Sequence, residues 1–170
     1  ILVCAGAGGH AGTLSPFALV REVREFFDGP IALSGSISEG SSVLSALALG
    51  ADFAYVGTKF IATEEANASP GYKQMIIDST ADDIMYSATF TGVNGNYLRP
   101  SVEAAGLNPE EHTSGSKDDM NFSTSAIAKK DNSSKAWKDI WGSGQGIGAI
   151  KNAPSVPVSY THLTLPTTML

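Results

Sequence analysis

Histidine is scarce in this chain, with three in 170 residues. One of them, His10, stands in AGAGGHAG, residues 5–12, among four glycines and three alanines. An imidazole titrates near neutrality and can take or give a proton during a reaction. Small neighbours let a flat ligand approach the backbone closely. His112 lies in a polar stretch and His162 in the terminal run treated below, so His10 is the credible reactive imidazole. No second metal ligand is spaced near it, which argues against a metal site. The plain alternative is a loop histidine that only bonds the backbone.

Two further stretches suit an anion. Ser34-Gly35-Ser36-Ile37 and Val56-Gly57-Thr58 each put small residues where an apolar run gives way to a helical period. At such junctions the unpaired N–H groups and the positive end of the helix dipole face outward. Consecutive junctions of this kind form the phosphate site common in eight-stranded α/β barrels. Tight turns without a ligand would leave the same signature.

The elements that must position these residues follow one pattern. Ile1–Ala5, Ile31–Leu33 and Asp52–Val56 read as short apolar strands. Between them, Ser15 is an N-cap with Pro16 at the first helical position, and Phe17, Val20, Val23 and Phe27 recur at helical spacing. Ser38 or Glu39 opens a second helix with Val43, Leu44, Leu47 and Ala48 on one face, closed by Gly50. Lys59–Thr63 begins a third. Strand–helix alternation with continuous apolar strands predicts an α/β fold with parallel strands. Three units cannot close a (β/α)8 TIM barrel of ~250 residues; they fit its C-terminal portion. Further on, Pro70–Ser79 reads as helix, Asp83–Phe90 as strand or connection, Asn96–Gly106 as helix with Pro100 in its first turn, Leu107–Ser134 as a long polar loop, and Lys135–Ile150 as a helix-like segment. Trp137 and Trp141 would share one helical face. Arg99 reads as salt-bridged or as an anion contact, and Cys4 as a small buried core residue.

Composition narrows the function. A hydrophobic share of 42% and a charged share of 16% support a packed core. The net charge of −6 argues against nucleic acid as the main partner. No apolar run approaches the ~18 residues of a membrane span. The residues of this chain show neither the basic n-region nor the cleavage site of a signal peptide, and a lone cysteine fits a reducing compartment, so a cytoplasmic location is expected. The run VSYTHLTLPT, Val158–Thr167, matches the translation of a sequencing-library adaptor in one frame. Residues 1–157 are therefore read as the natural, partial barrel domain and 158–170 as a non-native tail. A partial barrel with an open sheet edge is expected to be unstable alone.

GGHAG, then GSI, then a Gly-Thr turn before KFIATEE, together with the late AWKDIWGSGQGIGAI, resemble the nitronate monooxygenases, also called 2-nitropropane dioxygenase-like proteins. The resemblance runs from about Ile1 to Val156. It implies an FMN-dependent barrel that oxidises alkyl nitronates or nitroalkanes with O2. It implies His10 as the base or substrate-orienting group, with Gly8 and Gly9 against the flavin. It further implies a first phosphate loop at Gly35, Ser36 and Ile37, a second at Gly57 and Thr58 led in by Tyr55 and Val56, and Gln145 near the cofactor. Gly35-Ser36 stands where the family more often has Gly-Gly. Val3 and Gly6 stand where it often has Gln and Glu. Flavin-dependent, NAD(P)H-consuming enoyl-ACP reductases share the histidine and the phosphate loops. They form the alternative enzymatic reading, and an inactive flavin- or phosphate-binding fragment is the third.

Overall fold

The computed structural model describes residues 1–112 and 139–164. The polar stretch 113–134, Trp137 and the last six residues lie outside the described residues.

Three short strands, β1 (Leu2–Val3), β3 (Ala32–Ser34) and β4 (Phe53–Tyr55), form a parallel sheet in the order β1-β3-β4. Leu2 pairs with Leu33, and Leu33 with Ala54. Parallel strands need crossovers, and two helices supply them. Helix α1 (Pro16–Arg24) begins at Ser15, whose hydroxyl accepts the Ala18 N–H at 3.4 Å. Helix α2 (Gly40–Ala48) begins at Glu39, whose N–H is taken by the Ser42 hydroxyl at 3.1 Å. The chain leaves α2 through Gly50, at φ +104°. The two helices bury Val20 and Ala46 against Cys4, Ile31, Leu33, Ile37 and Ala51. Each large aliphatic side chain there contributes roughly 1.5–3 kcal/mol through removal from water.

At the end of the sheet where β3 and β4 begin, Arg24 ties the crossovers together. Its guanidinium donates to the carbonyls of Gly29 at 2.7 Å and Gly50 at 2.8 Å, and to Asp52 Oδ2 at 2.7 Å. Asp52 Oδ2 also accepts the Ile31 N–H at 2.8 Å. The Ile31 N–H and then Arg24 hold the Asp52 carboxyl below the usual carboxylate range.

A second sheet is antiparallel, in the order β2-β6-β5, with β2 (Gly9–His10), β5 (Ile84–Ser87) and β6 (Gly95–Leu98). This sheet corrects two expectations. His10 is on a strand rather than in a free loop. The 95–98 segment is a strand with all four residues buried, not the start of a helix. Helix α5 begins only at Arg99 and runs to Ala104, with Pro100 in its first turn. Helices α3 (Thr58–Ile61) and α4 (Pro70–Asp78) lie between the two sheets in sequence. Of the segment expected to be helical to Ile150, the described part leaves the helix after Asp139, forms a bridge from Gly142 to Tyr97, and ends in a 3-10 turn, Gln145–Ala149. Ile147 and Ile150 from it are fully buried with Ala62, Ile76 and Leu98. The last described helix, α6 (Val156–Thr164), buries Ser159 and Leu163, so the Val158 boundary expected from the sequence falls inside an ordered helix. No helix among the described residues is long and apolar enough to cross a membrane.

Candidate functional site

The ends of β3 and β4 open into a cavity of about 290 Å³. Eight of its sixteen lining residues are glycines, so backbone rather than side chains forms most of the wall. The residues expected from the sequence converge there: Gly8, Gly9, Gly35, Ser36, Tyr55, Gly57 and Thr58 all line it. Val56 does not. It packs against the α1–α2 core and lines a neighbouring open groove with Phe60, Tyr72 and Trp141. Gln145 is exposed and also outside the lining, with its side chain beside Gly6. His10 is exposed, one residue beyond Gly9.

Small residues are required here first of all because three segments meet backbone to backbone. Gly6 O accepts both the Gln145 N–H at 2.9 Å and the Ser36 N–H at 3.2 Å. A methyl group on Gly144 would lie 2.7 Å from Gly6 O, and one on Gly146 would lie 2.7 Å from Ser36 O. A methyl on Gly8 would lie 2.8 Å from Gly144 N. Gly8 is thus small because the 143–144 backbone crosses it. Gly9 and Gly57 differ: nothing stands within 4 Å of the space a Cβ would fill.

Side chains rivet these segments. Thr58 Oγ1 accepts the Gly144 N–H at 3.0 Å, and Ser38 Oγ donates to Gly146 O at 2.7 Å. Asn96 is fully enclosed; its Nδ2 donates to Ala7 O at 2.7 Å, and its main-chain carbonyl accepts the Ser143 N–H at 3.2 Å. Tyr72 stacks on Trp141 at 4.9 Å and donates its hydroxyl to Gly142 O. Burial pushes the Tyr72 phenol up to about 12. Sequence reasoning missed Asn96 and Tyr72. The signal for Asn96 was an amide inside an otherwise apolar strand, which must find partners once buried.

The first turn is strained. Gly35 sits at φ +136°, with the Cys4 sulfur and Ala5 carbonyl against the face where a Cβ would be. Ser36 follows at φ +55°, the one non-glycine residue with positive φ among the described residues. The turn leaves the Ile37 N–H without a hydrogen-bond partner among the described residues, and the Gly57 N–H of the second turn is likewise unpaired. Both residues line the cavity. Cys4 itself is buried, donates to Ser34 O at 2.8 Å, and is held up in pKa by desolvation, which suits a packing role rather than a nucleophile. Arg99 is salt-bridged to Glu110 at 2.5 Å.

A family model described as nitronate monooxygenase matches residues 1–159. The chain belongs to the nitronate monooxygenase family. Among curated relatives, the nitronate monooxygenase of Paraburkholderia phytofirmans is 31% identical over 112 residues, covering 61% of this chain and 31% of that protein. The chain therefore spans about a third of that relative. Among solved structures, FabK from Thermotoga maritima aligns with a TM-score of 0.71 at 23% identity, over 98% of this chain and 53% of FabK. A nitroalkane oxidase from Streptomyces ansochromogenes aligns with a TM-score of 0.68 at 24% identity, over 98% of this chain and 52% of the oxidase. At these identities the likeness concerns the fold, and it makes the chain part of a TIM barrel. In a barrel of this family the cavity lies at the carboxyl ends of the strands, the face that carries active sites in this fold.

Proposed function

We propose that this chain carries the phosphate-binding and proton-transfer part of a flavin-dependent nitronate monooxygenase, which oxidises alkyl nitronates or nitroalkanes with O2. One observation carries the reading: the turns after two adjacent parallel strands, at Gly35-Ser36 and Gly57-Thr58, open into one glycine-walled cavity. The residues present fit FMN. Two unpaired backbone donors, on Ile37 and Gly57, line the cavity and suit a phosphate oxygen. The open space over Gly9 and Gly57 leaves room for a ligand against the main chain. The volume is at the small end for a ligand site.

In this reading Gly35, Ser36, Gly57 and Thr58 hold the phosphate, and the Gly8-Gly9 backbone supports the flat ring. Tyr55 and Val56 shape the approach to the second turn, and Gln145 closes the far side through its bond to Gly6. When bound, the flavin accepts the substrate's electrons and passes them to O2. The chain's own part is positional and protolytic. His10 removes a proton from the nitroalkane carbon or orients the nitronate oxygens. General base catalysis of this kind is worth roughly 10²–10⁴-fold.

The test uses the full-length protein. A bound flavin spectrum and nitronate-dependent O2 uptake without NADH are expected. His10→Asn should keep the flavin and lower nitroalkane turnover by about 100-fold or more. Unchanged turnover would remove His10 from the chemistry. Bleaching of the flavin by NADH under nitrogen at catalytic rates would favour the enoyl-ACP reductase reading. Absence of flavin would reject both.

A further inference from the structure

The His10 ring is held by a residue far away in sequence. Its Nε2 lies 3.0 Å from Thr91 Oγ1, 81 positions along the chain. Which atom owns the proton follows from what else that hydroxyl does. Thr91 Oγ1 donates to Val93 O at 3.1 Å, and a carbonyl can only accept. The buried Tyr97 hydroxyl lies 3.2 Å from the same oxygen, and Tyr97 has no other side-chain hydrogen bond among the described residues. The Val93 N–H is the longest of the four contacts, at 3.4 Å, so the two lone pairs go to the nearer Tyr97 and His10. Thr91 has a single proton, and Val93 takes it. Toward His10 the oxygen then offers only a lone pair.

We propose that Thr91 is a positioning residue that holds neutral His10 as its Nε2–H tautomer, leaving Nδ1 as the proton-accepting nitrogen. The proposal rests on the role given to His10 above. A neutral imidazole has one donor nitrogen and one acceptor, and the bond made by the first assigns the second. No partner for Nδ1 occurs among the described residues. The main chain around the ring is fixed too. His10 pairs with Gly95, the Ala11 N–H donates to Asn94 O at 3.2 Å, and the Tyr86 hydroxyl donates to Ala11 O at 2.9 Å. A ring tethered at Nε2 on a fixed backbone presents Nδ1 in one direction.

Nitrogen-15 spectra of the imidazole in the resting protein, recorded at alkaline pH, decide the assignment. The expected result is a protonated Nε2 with a detectable, exchange-protected N–H, and a bare Nδ1. Thr91→Val keeps the shape and removes the acceptor. It should lose the protected N–H signal and lower kcat about 10-fold, with KM within about two-fold. Thr91→Ser should retain both signal and rate. A neutral His10 protonated at Nδ1 overturns the proposal, and so does a Thr91→Val protein that keeps the Nε2–H signal. If the valine protein does not fold, the resting spectrum of the wild type still distinguishes the two tautomers. Missing flavin or nitronate turnover would instead strike the proposed function, and the spectrum would answer for the tautomer separately.

Discussion

Gly144→Ala is the sharpest probe of why this site is built from glycine. The residue has φ −84° and ψ 157°, which alanine adopts freely, so backbone preference is not the obstacle. The added methyl would lie 2.7 Å from Gly6 O, 3.3 Å from Gly8 N and 3.5 Å from Thr58 Oγ1. Gly6 O cannot swing aside, because it accepts two N–H groups, from Gln145 and Ser36. Displacing it puts two hydrogen bonds of about 1 kcal/mol each at risk. Alanine's smaller unfolded-state entropy returns about 0.4–1 kcal/mol. A net loss of about 1–2 kcal/mol follows, within the usual range for overpacking. For a chain of this size that lowers Tm by roughly 2–8 °C. Gly57→Ala is the control. Nothing stands within 4 Å of its Cβ, so stability should change by less than about 0.5 kcal/mol, while flavin affinity falls because the methyl enters the cavity. Urea melts followed by circular dichroism, with flavin fluorescence for binding, measure both. If Gly144→Ala is as stable as the wild type, the backbone interlock does not constrain this position and the reasoning is wrong.

Two further outcomes follow from the geometry. Ser36→Gly should stabilise the protein by about 0.5–1 kcal/mol, since it relieves a left-handed serine at φ +55° and gives back part of the gain as unfolded-state entropy; a lower urea midpoint would contradict this. Asp52 is an acid sensor of the fold: its carboxyl titrates below its unfolded value, so its contribution is present above about pH 4 and is lost as pH falls through the folded pKa. The Tm gap between the wild type and Asp52→Asn should therefore be open at neutral pH and close in acid. A gap that stays constant down to pH ~3 would refute that linkage.

The parts legible in the sequence were those with local causes. Ser15-Pro16 and Ser38-Glu39 announced α1 and α2 because capping chemistry is confined to one turn, and the run Ile31–Leu33 announced β3, one residue early at each end, because a buried parallel strand is largely apolar. The two turns that line the cavity, Gly35-Ser36 and Gly57-Thr58, were legible for the same reason: a strand end, a glycine and a helix start are neighbours in the chain. β2 was hidden because Gly9-His10 has no strand propensity. It pairs only where Gly95, lacking a Cβ, lets the Gly9 carbonyl approach. β6 was hidden because Gly95-Asn96-Tyr97-Leu98 is buried on both faces and shows no alternation, while Arg99-Pro100 just after it reads as helix. Thr91, Asn96 and Tyr72 act across long sequence separations, which no local pattern records. The tight fit of Gly8 on residue 144 was equally invisible, and it gives the glycines around His10 a structural reason in addition to the proposed ligand.

The interlock of residues 6–9, 34–38 and 142–146 also fixes when the cavity exists during folding. The bonds that complete it, Ser38 to Gly146 and Thr58 to Gly144, span 108 and 86 residues. Closing such loops is among the late and slow events of a chain, because the entropy is lost before the contact forms. The parallel sheet and its helices can assemble from local contacts; the cavity cannot. A ligand that binds there is therefore coupled to the last step of folding and stabilises the whole chain by mass action. If that ligand is the FMN proposed above, cofactor supply sets the stability of the newly made chain.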